Sequence, residues 1–178
     1  ALTHLEALLR PEQHPVDQGL RPWAWARSEP LQTPPQTLGD RGEWQIEWAL
    51  QGLRVQVLRR GGRSAVWSRT GDLLNEHLPD IVALANQLPE GTVIDGQLLL
   101  WPPGASAPAP ADQLLARLRG KALTARARRE ASVRLMAFDL LELQGQDLRP
   151  RKLTLRRAAL VNLAGDSGLL LSEPLANR

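Results

Sequence analysis

EWALQGLRVQVLRRGG, residues 47–62, sets how the rest of the chain is read. It has the outline of a strand, a tight turn at Gly52 and a return strand. Just upstream and into it, Trp44, Ile46, Trp48 and Leu50 alternate with Gln45, Glu47, Ala49 and Gln51. That period of two predicts a strand with one apolar face and its other face on a cleft. Arg54 follows on the return strand, while Ala49 and Gln51 stand with Glu47 on the face away from the apolar residues.

Working outward, LRVQVLRR reads as the second strand, and GGR turns into AVWSR as a third. LPDIVALANQL predicts a helix, with Pro79 in its first turn and Ile81, Leu84, Ala85 and Leu88 along one face. TVIDGQLLLW is a strand stopped by Pro102 and Pro103, and the loop PPGASAPAPA after it is of low complexity. DQLLARLRG and TARARRE read as short helices. SVRLMAFDLLEL is a strand closed by the turn QGQD, and LTLRRAALVNLAG is a last helix with Thr154 as cap and Gly165 as stop. Strands and helices mix without strict alternation, which predicts an α+β fold with a largely antiparallel sheet. Residues 1–43 stand apart. A helix, LTHLEALLR, precedes a segment in which Pro11, Pro15, Pro22, Pro30, Pro34 and Pro35 forbid a long helix. Such an arm either crosses a domain surface, with Trp23 and Trp25 as anchors, or links to another domain.

Composition narrows the chemistry. The 178 residues suit one domain plus an arm. Lys and Arg number 22 against 19 Asp and Glu, and only Lys121 and Lys152 are lysines. Arginine grips phosphates and carboxylates through its fork but cannot be deprotonated into a nucleophile. The small positive excess permits nucleic-acid contact without demanding it. RLRGKALTARARR is the best candidate for touching a phosphate backbone, with a solvated helix face as the competing reading. The absence of cysteine excludes disulfides and thiolate metal sites and fits a reducing, cytoplasmic setting. His4, His14 and His77 have no ligand spacing. No signal peptide or long apolar run is recognised, so no membrane role is expected. The first residue is Ala, and a processed or trimmed piece of a longer protein is expected.

Five fragments, each weak alone, become specific in this order and at these separations. EWALQGLR fits a first motif that reads Glu-aromatic-Lys-x-Asp-Gly-x-Arg, and WSRTGD fits Ser-Arg-x-Gly-Asp/Glu. HLPDIV stands where a Phe-Pro-Glu-Leu helix is found. VIDGQLLLW fits apolar-Asp-Gly-Glu-apolar, and MAFDLLELQGQDLR fits the strand and turn that follow. From about Leu31 to Leu160 the chain resembles the nucleotidyltransferase (adenylation) domain of ATP-dependent DNA ligases of bacterial type. The resemblance implies an ATP-grasp-like nucleotidyltransferase fold, largely antiparallel sheets flanked by helices. Residues 44–178 are then expected to be a partial adenylation domain, lacking its C-terminal part and the OB-fold domain, with residues 1–43 as an arm or linker. In that family a lysine attacks the α-phosphate of ATP, with Mg²⁺, to form lysyl-AMP. The AMP then activates a 5′-phosphate in nicked double-stranded DNA for sealing in repair and recombination.

Carried over residue by residue, the resemblance keeps binding positions and loses reactive ones. Glu47, Arg54, Arg69 and Phe138 fall on nucleotide-binding positions, Phe138 on that of the adenine-stacking ring. Ala49 stands at the nucleophilic lysine, Gln51 at the first motif's aspartate and Gln97 at the third motif's glutamate. No catalytic residue is left intact, and neutral amides are poor ligands for Mg²⁺. The competing readings are structural: Arg54 and Arg69 as surface arginines, Phe138 as core, Glu47 as the partner of an arginine, Asp95 and Asp139 as sheet residues. Two classes of function follow. One is a degenerate ligase adenylation domain, a pseudoenzyme unable to self-adenylate, whether natural, engineered or trimmed. The other is a non-catalytic nucleotide- or DNA-binding or scaffold module that holds a repair partner or missing ligase domains. A weaker third is a segment of an active ligase that tolerates these departures.

Overall fold

The structure, a computed structural model, describes residues 18–119, 132–167 and 169–175. The helices expected at residues 2–10 and 124–130, Lys121, and most of RLRGKALTARARR lie outside those residues. Strand β1 (Leu53–Arg60) turns at Gly61 and Gly62, with φ of 58° and 71°, into β2 (Arg63–Ser68). Left-handed φ at both turn residues is what a tight hairpin needs and glycine supplies. Helix α1 (Pro79–Ala85), β3 (Thr92–Trp101) and α2 (Ala111–Arg119) follow. The described chain ends with β4 (Ser132–Leu143), β5 (Gln146–Asp147), α3 (Leu153–Ser167) and β6 (Leu170–Leu171). The sheet has six strands in the order β2-β1-β3-β4-β5, with β6 parallel to β4 and every other pairing antiparallel. This is the α+β arrangement expected.

Strand alternation divides the core in two. Val55, Val57, Val66, Ile94, Leu98 and Leu140 pack with Ile81 and Ala85 of α1, Leu114 of α2 and Leu160 of α3. Their sequence neighbours Leu58, Ala65, Val93 and Leu141 form a smaller cluster with Leu20, Trp23 and Trp67. The helices therefore cover one face of the sheet, and the arm crosses the other. Gln56 shows how closely: fully buried on β1, its Oε1 accepts from the Trp23 amide at 2.8 Å and its Nε2 donates to the Trp23 carbonyl at 3.2 Å. The amide is satisfied by arm backbone, as a buried polar group must be.

Three local expectations are corrected. Residues 44–51 are not a strand. Among the described residues this segment meets backbone distant in sequence at one bridge, Glu47 to Pro174, and one bond, Leu175 N–H to the Ile46 carbonyl at 2.7 Å. Alternation defines faces, but a strand needs a ladder, and the expected apolar face is open: Trp44, Ile46 and Trp48 are 47%, 43% and 71% exposed. Gly52 is likewise no hairpin turn. Its backbone passes so close to β3 that a Cβ there would sit 2.4 Å from the Leu98 carbonyl oxygen. Finally, α3 starts at Leu153, so Thr154 is already helical, and it runs through Gly165 to Ser167.

Candidate functional site

The arm-covered face of the sheet gathers most of the residues singled out from sequence. Arg54 leaves β1 directly opposite Gln97 of β3, and Gln56 stands opposite Asp95. Asp95 is directly opposite Asp139 of β4. Two carboxylates so close repel, and each has its own arginine. Arg54 grips Asp95 in a fork, Nε to Oδ1 at 3.1 Å and Nη2 to Oδ2 at 2.8 Å. Arg156 of α3 grips Asp139 likewise, Nε to Oδ1 at 2.8 Å and Nη2 to Oδ2 at 2.9 Å. Burial still pushes the Asp95 carboxyl above the usual range. The Arg54 bonds pull it back, and the Asp139 charge adds to the rise.

Phe138 reaches this face through a bulge. The β3–β4 ladder passes from Asp95 opposite Asp139 to Gly96 opposite Ala137, leaving Phe138 as the extra residue. Bulges re-aim a side chain, and the Arg54 guanidinium lies 5.4 Å from the Phe138 ring centroid. Gly96 makes the bulge possible, since a Cβ there would meet the Met136 carbonyl oxygen at 2.6 Å. Glu47 joins from the sheet edge. It accepts from Ser172 and Gln45, and lies 3.8 Å from Arg157, which in turn donates to the Phe138 carbonyl at 3.4 Å. Thus Phe138 meets Arg54 through its ring and, through its carbonyl, the Arg157 that lies beside Glu47.

The other positions sit less centrally. The β1–β2 ladder ends with Val55 opposite Ser68, one step short of Arg54 and Arg69. Arg69 is exposed at that end of the sheet. Beside it, Asp72 accepts from the Thr70 and Ser68 hydroxyls, which hold its carboxyl below the usual range and pin the loop. Gln97 is half-buried, whereas Ala49 and Gln51 are exposed on the segment before Gly52. Sequence reasoning missed Ala26, Arg156 and Arg157, and had Trp25 as an anchor of the arm but not as a neighbour of Arg54. The Ala26 carbonyl accepts from Arg54 Nη1 at 2.8 Å, and the Trp25 ring centroid is 5.5 Å from the same guanidinium. The signal was there in the paired tryptophans of the arm, but not their destination.

The donor set fits a nucleotide better than a metal. An arginine, a half-buried aromatic ring and a carboxylate meet on one face. By contrast, Asp95 and Asp139 are each engaged by an arginine. Gln97 and Gln51 offer only neutral amides. Among the described residues no group of three or more His, Asp and Glu converges to hold a metal ion.

The sheet thus carries helices on one face and gathers arginine, carboxylate and aromatic side chains on the other, a set suited to a nucleotide. More narrowly, the chain belongs to the ATP dependent DNA ligase domain family, which matches it over residues 29–170. It is 34% identical over 143 residues to a DNA ligase of Haloferax volcanii, covering 76% of this chain and 24% of that protein. It is 38% identical over 117 residues to a probable DNA ligase of Sorangium cellulosum, covering 65% and 22%. The chain thus spans under a quarter of the length of these curated relatives. Its fold matches the ligase domain of LigD from M. tuberculosis with a TM-score of 0.59 and 28% identity, over 74% of this chain and 39% of that one. A mycobacterial DNA ligase D complexed with ATP and MES matches with a TM-score of 0.55 and 28% identity, over 71% and 38%. Among the described residues no helix is long and apolar enough to cross a membrane.

Proposed function

We propose that this chain is a degenerate, partial ligase adenylation domain that presents a nucleotide-facing surface but does not adenylate itself. One observation carries the reading: Ala49 occupies the position of the nucleophilic lysine in the first motif. A methyl group has no lone pair to attack an α-phosphate, so its loss removes the covalent pathway rather than slowing it. Lys152, the remaining lysine among the described residues, stands just before α3 rather than on the motif segment. Gln51 and Gln97 remove the carboxylates that would recruit Mg²⁺. What persists is binding chemistry: Arg54 for phosphate, Phe138 for stacking, Glu47 for the base and Arg69 at the sheet end. ATP is the ligand class this supports, with nicked double-stranded DNA as the family's second substrate.

Incubation with α-labelled ATP and Mg²⁺ tests the reading. The chain is expected to carry no label after denaturation, and a covalent AMP adduct refutes the silence. The triple change Ala49→Lys, Gln51→Asp and Gln97→Glu in a full-length ligase context asks whether the scaffold still supports the chemistry. A scaffold or binding role in a repair complex is favoured over an active one by the same pattern, in which binding groups persist and reacting groups are gone. It predicts ATP or nicked-DNA binding, with DNA affinity falling steeply as salt rises. Flat titrations of both at low salt exclude it.

A further inference from the structure

The nucleotide-facing side of the sheet is not open. The arm lies across it, fastened at both ends and in the middle. Leu20 is buried, and its carbonyl accepts from the Trp67 indole at 2.7 Å. The Gly19 carbonyl accepts from Arg60 at 2.9 Å. Trp23 exchanges both backbone bonds with Gln56, and its indole donates to Glu142 at 3.2 Å. Its ring carries Arg60 at 5.1 Å and Arg149 at 3.5 Å from the centroid. Beyond this anchor, Trp25 and Ala26 meet Arg54. An aromatic ring beside the guanidinium and an oxygen acceptor on its edge are the two things a purine nucleotide would bring there. The arm brings both.

We infer that residues 20–26 form an intramolecular strap, a self-ligand whose Trp25 ring and Ala26 carbonyl hold Arg54 in place of a nucleotide. The inference rests on the reading of this face as nucleotide-binding and adds its regulation. Arg54 has five N–H donors. Two go to Asp95 and a third to the Ala26 carbonyl, while its cationic face is shared between Trp25 and Phe138. Nucleotide must therefore displace the strap from Arg54, and its apparent affinity is lowered by the fraction of molecules in which the strap is closed. The Trp23 anchor is independent of Arg54, so opening is hinged: Trp25 and Ala26 lift while Trp23 and Leu20 stay.

Calorimetry with ATP on the 178-residue chain and its Trp25→Ala variant tests this. The variant is expected to bind about tenfold more tightly, the factor that about 1.4 kcal/mol of lost strap contact converts to. In the unsubstituted protein, ATP is expected to shift the Trp25 indole resonance as its ring leaves Arg54, and to leave the Trp23 amide, bonded to Gln56, protected from exchange. This second measurement needs no variant. Equal or weaker ATP binding by Trp25→Ala, or a Trp25 indole resonance that ATP does not shift, overturns the strap while leaving nucleotide binding intact. No binding by either protein at millimolar ATP overturns both.

Discussion

Arg54→Ala is the sharpest test of the electrostatics at this face. The Asp95 side chain is 3% exposed and Arg54 20%, and they are joined by two hydrogen bonds. Removing the arginine leaves a buried carboxylate opposite a second one, Asp139. Breaking a buried pair from one side costs about 3–5 kcal/mol. Arg54 is partly open to water, which screens the pair and brings the expected loss at pH 7 to about 2–4 kcal/mol. Asp95 has an escape, because it can take up a proton. Its folded-state pKa already stands above the ordinary value, chiefly from burial, and loss of Arg54 raises it further. A raised folded pKa means that the folded state binds more protons than the unfolded chain between the two values, so stability falls as pH rises through that window. The deficit of Arg54→Ala is therefore largest at neutral pH and shrinks on acidification, by up to about 1.4 kcal/mol per pH unit near the shifted pKa. Thermal melts at pH 7 and pH 5 measure it. For a chain of this size the midpoint is expected to drop by about 2–4 °C per kcal/mol at neutral pH, and by less at pH 5. Adding Asp95→Asn is expected to recover most of the loss. A drop under about 1 kcal/mol at pH 7, a deficit that does not shrink at pH 5, or a double variant worse than Arg54→Ala refutes the reasoning.

Other expectations are simpler. The Arg149 side-chain and backbone hydrogen bonds hold the Asp147 carboxyl down to about 2. The stability this gives is present above the unfolded pKa and lost as pH falls toward that value. Asp147→Asn is expected to flatten the acid limb of the stability curve between about pH 4 and 2, and an unchanged limb counts against the pair. Gly52→Ala should lose about 1–3 kcal/mol in a urea titration, because its Cβ would collide with backbone at Leu98. Gly165→Ala, in open space on α3, should gain up to about 1 kcal/mol. Equal midpoints for those two variants would show that the close approach at Gly52 carries no strain.

Much of the fold was legible because periodicity and punctuation agree over long segments. SVRLMAFDLLEL matches β4 residue for residue, and TVIDGQLLLW matches β3 with Pro102 as its stop. The misses share a cause. Residues 44–51 have the alternation of a strand, but alternation says which face is apolar and nothing about which edge is free to pair. Phe138 was placed on an apolar strand, and only the close approach at Gly96 turns it into a bulge that meets Arg54. The arm's path over Gln56 and Arg60 is long-range in sequence, so Trp23 and Trp25 were recognisable as anchors but not as neighbours of the site.

The electrostatics of the face also favour a neutral side chain at position 97. Gln97 is opposite Arg54 and two residues from Asp95. A glutamate at that position would share a sheet face with Asp95, whose charge is already opposed by burial and by Asp139. The added negative charge would have to draw on Arg54, which is already bonded to Asp95. Glutamine keeps the size of glutamate and drops its charge, so the sheet retains its packing while the repulsion disappears. A neutral amide at position 97 therefore suits the same electrostatics that fix Arg54 on Asp95.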